Sequence, residues 1–188
     1  MTWLIALGVV LFAFIHFLPV MAAGLRRGII DKVGAGPYKG VFALAVAGSV
    51  ALMVFGWRAT EPVDIYTPPE WGHDATLVLM LIAFVLFAAA QRPSIIKRFL
   101  RHPQLTGLIA WSVGHLLANG DSRSVVLFGG LGIWAVITII ALNIRDGAYE
   151  PPVPQSLGRE AIGLVISVVV FAVVLFLHPY FTGVTPSL

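Results

Sequence analysis

The sequence predicts an all-α integral membrane protein: a bundle of about six transmembrane helices with one short interfacial helix. The 188 residues are 59% hydrophobic and 11% charged, whereas a soluble domain carries roughly 25% charged residues. Six apolar segments each approach the roughly 20 residues that cross a bilayer. The basic residues also concentrate in alternate links between these segments. This length leaves room for a single transmembrane domain over residues 1–188, with the lipid bilayer as its first partner.

The apolar segments follow one another along the whole chain. They are Trp3–Ala22, Tyr38–Trp57, Asp74–Ala90, Pro103–Ala118, Ser124–Ile144 and Arg159–His178. The first could be mistaken for an export signal, but it lacks the basic residues that precede one. Arg26 and Arg27 follow it instead, so we predict a retained first helix. The fourth segment is the shortest.

The distribution of Lys and Arg predicts the orientation. Ten of the twelve lie in the links between segments 1 and 2, 3 and 4, and 5 and 6, and the opposite links hold only Arg58 and Arg123. The positive-inside rule places the three basic links in the cytoplasm and both termini outside. The formal charge of +3 therefore reflects these links, and we expect no nucleic-acid partner.

Other local patterns add detail. Apolar and basic residues alternate helically over Ser94–Arg101 between two prolines, which predicts a short helix on the inner membrane surface. Small residues at close spacing predict tight packing of segment 2: Gly40, Ala43, Ala47, Gly48 and Ala51. Every Asp and Glu maps to a loop or a helix end, which disfavours a proton-coupled transporter. The lack of cysteine excludes disulfides and thiolate metal sites.

Two of the five histidines, His16 and His115, lie inside apolar helices, where an ionisable side chain is costly and needs a partner. Two interpretations stay open. Each histidine is hydrogen-bonded to a neighbouring helix, or each is a ligand for a metal or heme placed between helices. We expect His73, in a polar outer loop, to be solvated, and His178, at the end of the last helix, to be an interfacial anchor.

Helical spacing assigns further residues to the faces that carry these histidines. One face of segment 4 holds Trp111, Ser112, His115 and Asn119, and one face of segment 1 holds Phe12, His16 and Pro19. Pro19 weakens the local backbone ladder and can widen a pocket. At 1.5 Å per residue, His16 is about 20 Å and His115 about 7 Å from the outer surface. A shared iron would have to bridge this offset of roughly 12 Å.

Longer motifs resemble a known family. The stretch RHPQLTGLIAWSVGHLLANGDSRSVVLFGGLGIWA, which begins at Arg101, resembles the signature of the NnrU family of bacterial membrane proteins. FAFIHFLPVMAAGLR, GPYKGVFAL and the terminal LHP at Leu177–Pro179 are similar as well. The family also includes zeta-carotene isomerase. This resemblance implies a bacterial inner (cytoplasmic) membrane location and a link to denitrification, the reduction of nitrite and nitric oxide.

The resemblance also implies a cofactor. The isomerase branch binds heme b and uses it in cis-to-trans isomerisation of a polyene, so an isomerase-like or redox activity on a small or apolar substrate is implied. His16 and His115 match the axial ligands. Arg101 and His102 are expected to contact a propionate of the cofactor or to position the helix, and Trp111, Ser112 and Asn119 are expected beside His115. Ser112 stands where the isomerase has a cysteine, so this position offers no thiolate for a ligand swap, and the resemblance assigns no catalytic residue.

Two alternatives remain. Arg101–Gly107 fits the Arg-His-Pro-x-x-x-Gly pattern of integral-membrane methyltransferases that bind S-adenosylmethionine. Those enzymes also need a later acidic motif, for which Glu160 is the nearby candidate. The second alternative is a non-enzymatic accessory protein for the assembly of respiratory or denitrification membrane complexes.

Overall fold

The computed structural model describes residues 1–183, and these are mostly helical. The helices are α1 (Thr2–Met21), α2 (Ala23–Val33), α3 (Ala35–Ala59), α4 (Gly72–Ala90), α5 (Pro103–Ala118), α6 (Ser122–Asp146) and α7 (Leu157–Thr182). Five of the six predicted segments lie within one helix each, and the first, Trp3–Ala22, ends one residue beyond α1. The all-α prediction is therefore confirmed.

Within residues 1–183, five helices are long and apolar enough to cross a membrane: α1, α3, α4, α6 and the Leu157–Tyr180 part of α7. The fourth predicted segment is α5, and its 16 residues make it shorter than these five. The prediction of about six spans is therefore close to the observed architecture. Helix α2 was not predicted, since its Arg26, Arg27 and Lys32 lie in what we interpreted as a basic link.

The chain divides into two compact units. The first comprises Met1–Tyr66 and Gly120–Gly147, and therefore holds α1, α2, α3 and α6. The second comprises Thr67–Asn119 and the chain from Ala148 onward, and holds α4, α5 and α7. In the first unit α1 packs on α3 and α6, and in the second α4 packs on α5 and α7. A single domain over 1–188 stays a prediction, and its last five residues lie outside the described range.

Glycines bring α1 and α3 together in the first unit. A Cβ atom at Gly8 would lie 2.7 Å from the Ser49 carbonyl oxygen and 2.8 Å from Met53 Cγ. One at Gly56 would lie 2.8 Å from the backbone nitrogen of Ile5. Ile5 and Ser49 are fully buried at this contact. The two backbones can approach this closely only because these positions lack side chains.

The small-residue stripe predicted for tight packing of α3 is the wrong face within this unit. A Cβ atom at Gly40 or Gly48 would have nothing within 4 Å, and Ala43 and Ala47 are exposed. In a membrane helix the lipid-facing and the packed faces are both apolar. Composition therefore does not decide which stripe of small residues meets a neighbour.

Glycines play the same part in the second unit. A Cβ atom at Gly107 of α5 would lie 3.1 Å from the Ala83 carbonyl oxygen, and one at Gly114 would lie 2.8 Å from Met80 Cε. The Thr76 hydroxyl also lies 2.7 Å from the Gly114 carbonyl oxygen. Helix α5 is therefore held tightly against α4 along its length.

Asp121 caps the start of α6. Its Oδ1 accepts hydrogen bonds from the backbone nitrogens of Arg123 (2.9 Å) and Ser124 (3.2 Å), and its Oδ2 accepts one from Ser124 Oγ (2.6 Å). Arg123 then donates to the Thr60 carbonyl oxygen (3.5 Å) and stacks 4.6 Å over the Trp57 ring. These bonds tie the start of α6 to the end of α3. Shortly beyond the cap, α6 contains a π-helical stretch over Val125–Gly129.

The predicted interfacial helix is a short 3₁₀ turn over Ile95–Arg98, with Ser94 as its N-cap. The carboxylate of Glu160, at the start of α7, accepts hydrogen bonds from Ser94 Oγ (2.9 Å) and from the backbone nitrogen of Ile95 (2.8 Å). It also lies 3.6 Å from an Arg92 guanidinium nitrogen. Glu160 therefore fixes this turn against α7.

We expect Gly8→Ala to lower the free energy of unfolding by about 1–3 kcal/mol, since the added methyl overpacks the α1–α3 contact. The matched control is Gly48→Ala, which changes the same residue type on the open face of the same helix pair. It should be neutral or stabilising by up to about 1 kcal/mol. Thermal unfolding in detergent, followed by circular dichroism, measures both. Equal losses in the two variants would contradict the assigned packing face.

We expect Asp121→Ala to cost about 1 kcal/mol at neutral pH through loss of the helix cap. Burial alone would raise the pKa of Asp121, but the hydrogen bonds from Ser124 and Arg123 outweigh it and lower the pKa below its usual 3.8. The stabilisation is therefore complete above the unfolded-state pKa and is lost as the pH falls through the lower folded-state pKa. Melting temperatures across an acid titration test this, with the exposed Glu61→Ala as control. A difference between Asp121→Ala and wild type that persists at low pH would argue against the carboxylate as its source.

Candidate functional site

His16 lies near the end of α1, half-buried among aromatic rings of the first unit. Its Nδ1 lies 2.8 Å from the Phe12 carbonyl oxygen. Because a carbonyl oxygen can only accept, Nδ1 carries the proton and Nε2 carries the lone pair. The imidazole packs 4.1 Å from the Phe12 ring, 5.4 Å from Phe42 and 5.4 Å from Trp134. This is the tautomer in which a histidine binds metal through Nε2.

His115 has the same local arrangement in α5 of the second unit. Its Nδ1 donates to the Trp111 carbonyl oxygen at 2.9 Å, and the two rings lie 4.7 Å apart. Asn119 Nδ2 donates to the His115 carbonyl oxygen at 2.9 Å. Three of the four residues assigned to this face therefore form one chain of contacts. Both intramembrane histidines thus have an aromatic residue one turn earlier and an Nδ1 proton held by its carbonyl.

Two buried donors near these histidines have no hydrogen-bond partner among residues 1–183. Ser112 Oγ, three residues before His115, belongs to a side chain that is 2% exposed. Trp134 Nε1, in the ring that contacts His16, belongs to a side chain that is 8% exposed. An unsatisfied buried donor costs about 1–3 kcal/mol. A bound group with acceptor atoms would remove this cost, so both positions fit the presence of a cofactor.

A cavity of about 260 Å³ lies beside the His16 cluster in the first unit. It is lined by Pro19, Arg26, Tyr38, Lys39 and Phe42. The Arg26 guanidinium lies 5.5 Å from the Tyr38 ring centre, and the buried Tyr38 hydroxyl has no partner in the described part of the chain. Phe42 connects this cavity to His16, and Pro19 lines it in agreement with its expected role in widening a pocket. Arg26 and Lys39 are thus the cationic groups that border this site.

Arg101 and His102 lie at the opposite end of α5 from His115, which is a separation of about 20 Å at 1.5 Å per residue. Arg101 stacks 5.3 Å over the Tyr149 ring, and the His102 carbonyl oxygen accepts a hydrogen bond from the Thr106 backbone nitrogen (3.0 Å) as the N-cap of α5. The structure therefore does not bring them to His115. Their contacts described here agree with a role in positioning the start of the helix, and a contact of either residue with a propionate stays a prediction.

The sequence did not predict that His178 lies beside His115 in the second unit. Its half-buried ring in α7 lies 6.5 Å from the His115 ring, centroid to centroid, with 32° between the planes. Its expected role as an interfacial anchor stays a prediction, and the LHP similarity at Leu177–Pro179 is the feature of the sequence that singles it out. His73, by contrast, is exposed as expected.

A sequence model of one protein family, described as NnrU protein, matches residues 4–186. The chain belongs to the NnrU family. Comparisons with curated proteins and with solved structures found no match. Family membership and five membrane-length apolar helices together establish an integral membrane protein of the NnrU type.

The donor set suits a heme better than a bare metal ion. Over residues 1–183, no three His, Cys, Asp or Glu side chains converge closely enough to hold an ion by themselves. A heme iron takes four ligands from the porphyrin, so one or two imidazoles suffice. In the first unit, Nε2 of His16 and the Trp134 donor are groups that such a cofactor could use, and in the second unit, Nε2 of His115 and the Ser112 donor are.

We expect Ser112→Ala to leave the stability of the heme-free protein unchanged or to raise it by up to about 1 kcal/mol, since it removes a buried donor without a partner. The matched control is Ser167→Ala. Ser167 is also 2% exposed, but its hydroxyl donates to the Gly163 carbonyl oxygen at 2.8 Å. Thermal unfolding compares the two, and the control should lose about 1 kcal/mol. A larger loss at Ser112 would mean that its hydroxyl has a partner within the protein.

Proposed function

We propose that this NnrU-family chain is a membrane protein that binds heme b, with His115 and His16 as the candidate axial ligands. One observation carries the proposal. Each histidine donates its Nδ1 proton to the carbonyl oxygen four residues earlier. That bond fixes the ring orientation and leaves the Nε2 lone pair as the coordinating group. A histidine that binds a metal through one ring nitrogen usually donates its other ring N–H to such an acceptor.

The surrounding residues support a heme in three ways. Phe12, Trp134 and Trp111 pack on the two imidazoles and exclude water from them. Arg26 and Lys39 border a cavity next to the His16 cluster and supply positive charge for carboxylates. When bound, a heme of this kind would supply one-electron redox chemistry. The protein's part is to orient the imidazoles and set the polarity around them.

The activity we propose is isomerase-like or redox chemistry on a small or apolar substrate that arrives through the bilayer. The resemblance to the family supports a link to denitrification and to the respiratory membrane proteins that carry it out. Because Ser112 replaces the cysteine of the isomerase, we do not include a thiolate ligand. The one-sided distribution of Lys and Arg supports a bacterial inner membrane location with periplasmic termini.

The methyltransferase alternative is weakened by the contacts of its key residues. Glu160, the candidate acidic residue, accepts hydrogen bonds from Ser94 and Ile95 and lies beside Arg92. Arg101 of the Arg-His-Pro motif stacks on Tyr149. These side chains hold the 3₁₀ turn and the start of α5 in place, which accounts for them without S-adenosylmethionine.

The test is the absorption spectrum of protein purified from heme-replete cells. We expect a Soret band in the wild type, and a loss or shift of that band in His115→Ala and in His16→Ala, because each variant removes an Nε2 ligand. His73→Ala is the matched control, since His73 is exposed in the first turn of α4. Absence of the band from the wild type would refute heme binding. A band unchanged in both ligand variants would refute the ligand assignment.

A further inference from the structure

In the second unit, His178 lies beside His115. The family resemblance implies a ligand role for His115 but none for His178. His115 and His178 belong to α5 and α7, and their ring centroids are 6.5 Å apart. Each lies within about one turn of the end of its helix, since α5 ends at Ala118 and α7 at Thr182. The two rings therefore meet at one end of this unit.

Both imidazoles have their Nδ1 atoms engaged within their own helices. His115 Nδ1 donates to the Trp111 carbonyl oxygen. The Thr182 hydroxyl lies 2.9 Å from the His178 carbonyl oxygen and 3.2 Å from His178 Nδ1. A hydroxyl has one proton. Both contacts are hydrogen bonds together only when the hydroxyl donates to the carbonyl and accepts from Nδ1. In each histidine the proton is then on Nδ1 and the lone pair is on Nε2.

The spacing of the rings matches that of two imidazoles on one metal. A metal–nitrogen bond is roughly 2.0–2.1 Å, and the ring centre lies about 1.1 Å behind the nitrogen, so two trans imidazoles have centroids about 6.3 Å apart. The observed 6.5 Å differs by an amount that a small side-chain rotation covers.

We propose that His178 is an axial ligand of the same heme iron as His115. The inference rests on the proposed heme function and assigns His178, in place of His16, as the second histidine on the iron. This ligand pair also removes the difference in membrane depth that separates His16 from His115. Segments 4 and 6 both follow basic links and run toward the same membrane face, so His115 and His178 lie at similar depths without the offset of roughly 12 Å estimated for His16.

The experiment compares the ferric full-length protein with its His178→Ala variant by absorption and electron paramagnetic resonance. We expect a six-coordinate, low-spin wild type. The variant should retain heme through His115 but become five-coordinate and high-spin, with a Soret band at shorter wavelength. Added imidazole should restore the low-spin signal. His16→Ala and His73→Ala are measured alongside, and circular dichroism checks that each variant is folded.

A second variant keeps the ring and removes only its orienting partner. Thr182→Val should keep the heme low-spin but shift its g-values and reduction potential, because His178 loses the acceptor that fixes its tautomer. This variant tests the proposal even where His178→Ala does not fold. Spectra and potentials that Thr182→Val leaves unchanged would count against it.

The outcomes separate the two proposals. A wild type without a Soret band refutes heme binding itself. A wild-type Soret band with a low-spin signal that survives in His178→Ala overturns only the assignment of His178. A signal that depends on His115 and His178 but persists in His16→Ala assigns the second axial position to His178.

Discussion

Hydrocarbon offers no water to polar groups, so each polar group within a spanning helix must find its partner in the protein. The hydroxyls of this chain follow that rule locally. Thr138 donates to the Trp134 carbonyl oxygen and Ser167 to that of Gly163, each one turn earlier. His16 and His115 satisfy Nδ1 in the same way. For a histidine this bond has a second effect: it selects the tautomer and directs Nε2 away from its own backbone. The bond that makes an intramembrane histidine tolerable thus also leaves Nε2 as the ring atom that is able to coordinate a metal.

The exceptions to the rule are as informative as the examples. Ser112 Oγ and Trp134 Nε1 are buried without partners in the part of the chain that the structure describes, and both lie close in sequence or space to one of these histidines. Ser112 is itself in a helix, where a serine hydroxyl can bond to the carbonyl four residues earlier, as Ser167 does. Its hydroxyl does not, which points to an acceptor supplied by a bound group. A heme with polar substituents is one such group.

The sequence predicted the helices well because the bilayer dictates their length and apolar character. Segment Pro103–Ala118 and helix α5 have the same bounds. It missed α2, whose mixed apolar and basic residues do not stand out when the search is for apolar runs. It also misplaced the packed face of α3. Gly8 and Gly56 decide that contact through single close approaches to Ser49 and Ile5, and a periodic stripe of alanines on another face is the stronger pattern in the sequence.

The site was predictable to the extent that it is local. His115, Trp111 and Asn119 share a face by helical spacing alone, whereas the neighbour of His115 across the unit depends on packing. Gly107 and Gly114 set α5 close against α4. On another side of α4, Phe84 contacts Phe171 of α7 at 5.7 Å. The position of His178 beside His115 is therefore a consequence of two helices packed on a third, and no spacing in the sequence encodes it.

Because the position of His178 depends on helix packing, the two candidate partners of His115, His16 and His178, have different kinds of support. His16 is suggested by resemblance, and its local geometry repeats that of His115. His178 is suggested by distance within one compact unit, where both rings are positioned by the same helix, α4. An axial ligand must be held at a fixed distance from the metal through changes of oxidation state. A ligand pair whose separation is set inside one packed unit meets that requirement directly, which is the physical reason to give His178 weight beside the residue that the family pattern suggests.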